Sequence, residues 1–358
     1  MNNKILIYLG HPAQYHFFKN IIKLLKKEKV QVKIIIKTKD VLEDLLIADR
    51  HEYINILPKP RNLNKISILI SLVKRFIKLF FITKKFKPQI LIASDASIAW
   101  VGYILKINAI TVLEDDEEII KDLSRLTFKY TNAIVVPESC KINTYKDKVV
   151  KYSGYMKLSY LHPKYIENVN GFNKIFFIRI SSLNAYHDQN KKGLSESDLD
   201  DIIKILNENG KVYISSEKKL PLKFKRFKLN CKPIDIHDYI KRSHLIISDS
   251  QSMTVEAAML GIPNIRYSDF VGKIGVLNEL EYEYGLSYGI KSGDKKELIN
   301  KIKQIINDKE IFDKFQFRRR KMLNDKIDVA SFFSWFIHNF PTSFNILKNN
   351  RNYQDRFK

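Results

Sequence analysis

ISDSQSMTVEAAMLGIP, residues 247–263, runs from an apolar segment through Ser250, Gln251 and Ser252 into a segment rich in Ala, Met and Leu. A short apolar run that breaks on small polar residues and resumes with helical spacing reads as a strand feeding a helix, here Met253 to Leu260. The first turn of a helix has N–H groups without intrahelical acceptors and carries the positive end of the helix dipole. The stretch is therefore a ready anion site. The hydroxyls of Ser250, Ser252 and Thr254 can add hydrogen bonds to phosphate oxygens, and Glu256, one turn in, can accept from ribose hydroxyls. Ordinary capping explains a serine here equally well, and Glu256 also fits a residue that complements the dipole. Gln251 between two serines exceeds what a cap requires. The spacing is neither GxGxxG nor a P-loop.

Outward from this stretch, strand and helix patterns alternate. KILIYLG, VQVKIIIKT, QILIAS, AITVLED and AIVVPES read as strands of a first series, with QYHFFKNIIKLLKKEK, Ile66–Phe86, Ile98–Lys106 and a run through Phe128 as its helices. KIFFIRIS, KVYISSE, LIISDS and PNIRY make a second series, with helices near Ser197–Asn207 and Asp238 between them. Such alternation predicts parallel sheets covered by helices on both faces. A chain of 358 residues exceeds one ordinary core, and the Pro-, Asn- and Gly-containing connection between Leu161 and Gly171 marks a boundary. The expected organisation is α/β with two facing Rossmann-like domains, residues 1–165 and 166–328. Residues 329–358 then form an aromatic-rich helix, VASFFSWFIHNFP, crossing back to the first domain, and a basic tail.

With 45% hydrophobic residues and mixed charges the composition is that of a globular protein. Cys140 and Cys231 are the only cysteines and form no CxxC, so neither a disulfide framework nor a zinc site is indicated. The start, MNNKILIYLGHPAQ, lacks the features of a signal peptide, and a cytoplasmic location is expected. A net charge of +23 favours anionic partners: nucleotides, nucleic acid or an acidic membrane face. Scattered lysines also fit simple solvated faces, and no RNP1-like run, zinc finger or bZIP pattern is present, so no nucleic acid partner is expected. In KISILISLVKRFIKLFFITKKFKP, Lys74, Arg75 and Lys78 interrupt the apolar run, which is too short to span a bilayer. It reads as an amphipathic helix packed on the sheet, or as a basic surface helix in peripheral contact with the anionic inner face of the plasma membrane.

Open parallel sheets bind ligands beyond the carboxyl ends of their strands. That rule selects His11–His16, Asp95 and Glu114–Glu118 in the first series, and Arg179–Asp188, Glu217 and Ser250–Glu256 in the second.

The order strand, SDSxSxxxEAAxLGxP, strand resembles the glycosyltransferase-B superfamily, which includes non-hydrolysing UDP-N-acetylglucosamine 2-epimerases and lipid-intermediate N-acetylglucosaminyl transferases. HPAQYHFF, YSGYMKLSYLHP, RISSLNAYHD, VYISSEKKLP, PIDIHDYI and DSQSMTVEAAMLGIP are similar to segments of a bacterial and archaeal family of unknown function within it. Together they reach from the first strand to about Asp328. The resemblance implies a glycosyltransferase-B-like fold whose second domain holds the nucleotide. Ser250, Gln251, Ser252, Met253 and Thr254 would then face the diphosphate and Glu256 the ribose, while Pro233–His237, with Ile234 and His237, lies against the base. Arg179 is the natural phosphate cation, a salt bridge being its alternative, and Glu217 belongs to the same side. His187 and Asp188 fit a phosphate-contacting pair or a loop-stabilising one. The first domain would supply the acceptor side, with a general base among His16, Asp95, Glu114 and Asp116, each of which also fits a cap, a packing residue or an acidic first turn.

The expected activity is a metal-independent glycosyltransferase without a cofactor. It would move a sugar from a nucleotide diphosphate donor, UDP-linked, to a glycan or lipid-linked acceptor in surface polysaccharide biosynthesis. An isomerase of the 2-epimerase kind and a non-catalytic nucleotide-sugar-binding assembly protein are the alternatives. Against the isomerase, RISSLNAYHD stands where the epimerases carry an HRREN-like loop. SDSQSM also lacks the glycine and the second glutamate of their DSGGxQEE run.

Overall fold

The apolar runs of the first series form one seven-stranded parallel sheet in the computed structural model, which describes residues 2–58, 65–166, 169, 174–181 and 193–358. Its elements are β1 (Lys4–Leu9), α1 (Pro12–Lys27), β2 (Gln31–Lys37), α2 (Leu42–Ala48), β3 (Ile54–Leu57), α3 (Lys65–Phe86), β4 (Ile90–Ala93), α4 (Ala96–Leu105), β5 (Asn108–Val112), α5 (Lys121–Thr127), β6 (Ala133–Pro137), β7 (Val149–Tyr152) and α6 (Leu158–Leu161). The strand order is β3-β2-β1-β4-β5-β6-β7, so the order reverses between β1 and β4. β1, β4 and β6 are almost wholly buried, as continuous apolar runs in a doubly covered parallel sheet must be. α1 shows how the helices attach. Pro12 opens its first turn, and Tyr15, Phe18, Ile22 and Leu25 recur at helical spacing on its buried face.

The second series forms a five-stranded parallel sheet from β8 (Ile175–Ile180), α7 (Glu196–Asn209), β9 (Lys211–Ser216), α8 (Ile236–Lys241), β10 (Leu245–Ser248), α9 (Gln251–Leu260), β11 (Asn264–Tyr267), α10 (Gly275–Asn278) and β12 (Tyr288–Ile290), followed by α11 (Lys295–Asn307) and α12 (Ile311–Asp325). Its order is β12-β11-β10-β8-β9, with the reversal between β8 and β10. A serine–aspartate capping box, Ser195 with Asp198, starts α7. Gly261, at φ +64°, stops α9 in the left-handed conformation that glycine adopts without penalty.

The chain divides into two compact units, Met1–Tyr160 with Lys326–Lys358, and Leu161–Asp325. The last residues therefore belong with the first sheet. α13 (Val329–His338) packs on α1, with the Phe333 ring 4.9 Å from Phe17 and 5.1 Å from Tyr152, and α14 (Thr342–Asn349) follows it.

Three strands exceed the sequence expectation: β3, β7 and β12, each an edge strand of three or four residues. Of the basic surface expected around Lys74, Arg75 and Lys78, the structure withdraws Arg75 alone. Arg75 is buried, 3.2 Å from the Asp95 carboxylate and 5.9 Å above the Tyr8 ring. Lys78 donates to the Ile56 carbonyl at 2.7 Å, and Lys74 is exposed.

Candidate functional site

α9 begins where the strand order of the second sheet reverses, the position at which open α/β sheets bind ligands. Ser250 is its N-cap, and the Ser250 Oγ accepts from the Met253 N–H at 3.4 Å. The Thr254 N–H, at 3.2 Å from the Ser250 carbonyl, closes the first turn. The N–H groups of Gln251 and Ser252, ahead of that turn, have no intrahelical acceptor. The Ser252 hydroxyl makes no hydrogen bond among the described residues. From Met253 to Leu260 every residue of α9 is buried, so the helix start is held rigidly by its own core.

Below this start, the sheet register aligns one residue from each strand in a row: Ser215, Arg179, Ser248, Arg266 and Gly289 on β9, β8, β10, β11 and β12. Residues in register point to the same face of a parallel sheet. Arg179 donates to Ser215 Oγ at 2.6 Å and pairs with Glu217. Arg266 is fully buried and reaches two partners, Gln251 Oε1 at 3.3 Å and Glu281 Oε2 at 3.4 Å. Burial pulls the Arg266 guanidinium below its ordinary pKa, against the pull of Glu281. Gln251 in turn donates to Ser268 Oγ at 2.9 Å. Its carboxamide is thus locked, with the oxygen committed to Arg266. Gly289 has no room for a side chain because the Glu281 carboxylate, which accepts its N–H at 2.8 Å, lies against it.

Glu256, buried in α9, lies with Oε1 3.6 Å from Nε2 of His237, buried in α8. The turn before α8 leaves Ile234 exposed at 38%. The segment expected against the base and the glutamate expected at the ribose are therefore neighbours. Thr254, expected at phosphate, is fully buried and donates to the Ser250 carbonyl at 2.9 Å. That hydroxyl serves the first turn of the helix. Met253 is buried and offers only its backbone. His187 and Asp188 lie outside the described residues.

Asp249, absent from the sequence-derived set, ties the strand ends together. Its carboxylate accepts from the N–H of Ser181 at 2.6 Å and of Leu194 at 3.3 Å, and a side chain at Gly193 would overlap it. Burial raises its pKa, although those hydrogen bonds pull the other way. Arg266 and Asp249 leave one weak trace in sequence, a charged residue inside or directly after an apolar strand.

In the first unit the candidate bases have structural partners. Asp95 caps α4, accepting from the Ser97 N–H at 2.9 Å and the Ser97 hydroxyl at 2.5 Å, while its other oxygen faces Arg75. Glu114 accepts from the Met156 N–H at 2.7 Å and forms an ion pair with buried Lys157. Asp116 is buried and accepts from the Lys141 N–H at 2.6 Å. Against the upward push of burial, hydrogen bonds from Thr144 and Asn143 hold Glu117 below the usual carboxylate pKa. The acidic run after β5 thus clamps the loops that follow β6 and β7. His16, on the second turn of α1, is half-buried and stacks on Tyr160 with ring centroids 5.3 Å apart. The geometry brings His16 to Tyr160, and Asp95 to Ser97 and Arg75.

A family described as protein of unknown function (DUF354) matches residues 3–330. The chain belongs to that family. No curated protein sequence matches it. Among solved structures it is similar to S. aureus MnaA in a co-structure with UDP, at TM-score 0.68 and 13% identity over 95% of this chain and 97% of that one. It is also similar to UDP-GlcNAc 2-epimerase from Neisseria meningitidis bound to UDP-GlcNAc, at TM-score 0.61 and 16% identity over 91% and 95%. The spinosyn forosaminyltransferase SpnP gives TM-score 0.61 and 11% identity over 92% and 97%. At such identities the likeness shows the fold alone. This is a glycosyltransferase-B fold, shared by sugar-nucleotide epimerases and glycosyltransferases.

Proposed function

We propose that this DUF354 protein is a glycosyltransferase that takes a nucleoside diphosphate sugar, UDP-linked, and passes the sugar to a hydroxyl of a glycan or lipid-linked acceptor in surface polysaccharide assembly. The observation that carries the reading is the start of α9. Among the described residues, two N–H groups and the Ser252 hydroxyl have no hydrogen-bond partner at the switch point of a sheet whose adjacent strands carry Arg179 and Arg266. Such an arrangement suits a diphosphate: fixed donors and a dipole stabilise the charge that grows as the leaving group departs. Glu256, one turn along, is assigned to the ribose hydroxyls, and exposed Ile234 to a face of the base. The UDP and UDP-GlcNAc bound in the MnaA and N. meningitidis structures support a uridine nucleotide.

In the reaction the acceptor oxygen forms a bond to the anomeric carbon as the bond from that carbon to the phosphate oxygen breaks. The electron pair leaves with UDP, and the acceptor proton passes to a base. His16, half-buried on the second turn of α1, is assigned that proton, an imidazole nitrogen being the commonest side-chain proton acceptor in such steps. An isomerase is the second reading, favoured by the fold likeness to 2-epimerases. Incubation with a panel of UDP-sugars, with and without oligosaccharide and polyprenyl-phosphate acceptors, separates the two. The transferase releases UDP only when an acceptor is present. Appearance of the 2-epimer from UDP-GlcNAc alone would establish the isomerase.

A further inference from the structure

α3 has two faces with different work to do. Leu72, Arg75, Leu79 and Thr83 recur at three- and four-residue spacing, and all are at most 8% exposed, so this side holds the helix on the first sheet. Ile70, Val73, Ile77 and Phe81 recur at the same spacing on the opposite side, exposed at 48%, 46%, 46% and 64%. Single exposed apolar residues are ordinary. Four aligned along one helix are a strip, and they are not what anchors α3 to its domain.

The surroundings of the strip are basic on one flank and aromatic on the other. α3 contains six lysines and arginines and no acidic residue. Lys74, Lys78 and Lys85 line one edge of the strip and Lys84 stands at its end, all exposed. Lys74, Lys84 and Lys85 form no ion pair among the described residues. On the other edge, Phe80 touches Phe81, Phe76 touches Phe80 and Trp100, and Trp100 meets Tyr130, with ring centroids 5.6–6.5 Å apart. Tyr103, 64% exposed, joins Tyr130 at 5.3 Å, beside exposed Ile104, Lys106 and Lys129.

We propose that this face docks on a bilayer containing anionic lipid, with α3 lying in the plane of the interface. Apolar strips edged by lysines bind there by shallow insertion plus attraction to acidic headgroups. Tyr and Trp rings suit the same depth. The chain's charge of +23 points the same way. A second copy of the chain fits less well, because a twofold contact would set two purely cationic helices against each other. Among the described residues no helix is long and apolar enough to cross a membrane, so docking is in-plane.

The test is flotation of the full chain with vesicles of phosphatidylcholine alone or mixed with phosphatidylglycerol. The protein should float only with the mixed vesicles and be released by high salt. Ile77→Ser with Phe81→Ser, which leaves charge unchanged, should reduce partitioning roughly tenfold. Lys74→Glu with Lys85→Glu should do the same. Both variants should keep the wild-type melting temperature and UDP affinity, so this result and the nucleotide reading stand or fall separately. Failure of the wild type to float with acidic vesicles, or flotation untouched by both double variants, would overturn the proposal. So would a dimer, seen by sedimentation, that dissociates in Ile77→Ser with Phe81→Ser while no form of the protein floats.

Discussion

Ser252 and Thr254 are two residues apart on α9, and their hydroxyls face opposite demands. Thr254 is fully buried and bonded to the Ser250 carbonyl, whereas Ser252 is partly exposed with no described partner. Thr254→Val should therefore lower stability by about 1 kcal/mol, the usual net worth of one hydrogen bond, and leave UDP affinity unchanged. Denaturant midpoints read beside a nucleotide titration check both halves. The chemistry is tested at His16. His16→Ala should keep UDP binding and lose turnover by about 10²–10⁴-fold, the typical contribution of a general base. Steady-state rates with the identified acceptor decide it, and wild-type turnover in that variant would move the base elsewhere. Sequence could nominate hydroxyls and carboxylates here, but could not say which were already engaged. For Asp95, Glu114 and Asp116 the sequence left base and structural roles both open, because Arg75, Lys157 and the Lys141 N–H, which engage them, lie 20 to 43 residues away; only the Asp95 cap on Ser97 is local.

Among elements, the central strands were legible because continuous apolar runs such as KILIYL and IFFIRI have few other uses in a parallel sheet. β3, β7 and β12 were not. As edge strands of three or four residues, one face or side of each is half-exposed, and INIL, VVKY and YGI carry little periodic signal. The start of α9 was placed two residues late, since Gln251 and Ser252 are weak helix formers that the Ser250 cap draws into the first turn. The connection that Asp249 makes between the ends of β8 and β10 and the approach to α7 has a pH signature. Its folded pKa lies above the ordinary aspartate value, near 3.9, which the unfolded chain retains. The folded state thus favours the neutral form, and the contribution of this residue is largest below that ordinary value and falls as pH rises through the raised one. Relative to Asp249→Asn, the wild type should lose stability as pH rises above about 4 and through the raised value. A stability difference independent of pH across that window would contradict the assignment.

For the whole molecule, the two α/β series correspond to two compact units, and the C-terminal residues complete the first. α13 supplies Phe332, Phe333, Phe336 and Ile337 to that core, all fully buried. Phe333→Ala should cost about 3–5 kcal/mol, seen as a lowered thermal transition of the first unit, with UDP affinity in the second unit retained. The account rests above all on the start of α9 as a nucleotide site, and its most direct test is a calorimetric titration of UDP into the wild type, Ser252→Ala and Glu256→Gln. The wild type should bind, and each variant, with its fold intact by circular dichroism, should bind roughly ten- to a hundredfold more weakly, the loss expected for a charge-assisted hydrogen bond. A wild type that does not bind UDP, or two folded variants that bind it as tightly as the wild type, would contradict the account.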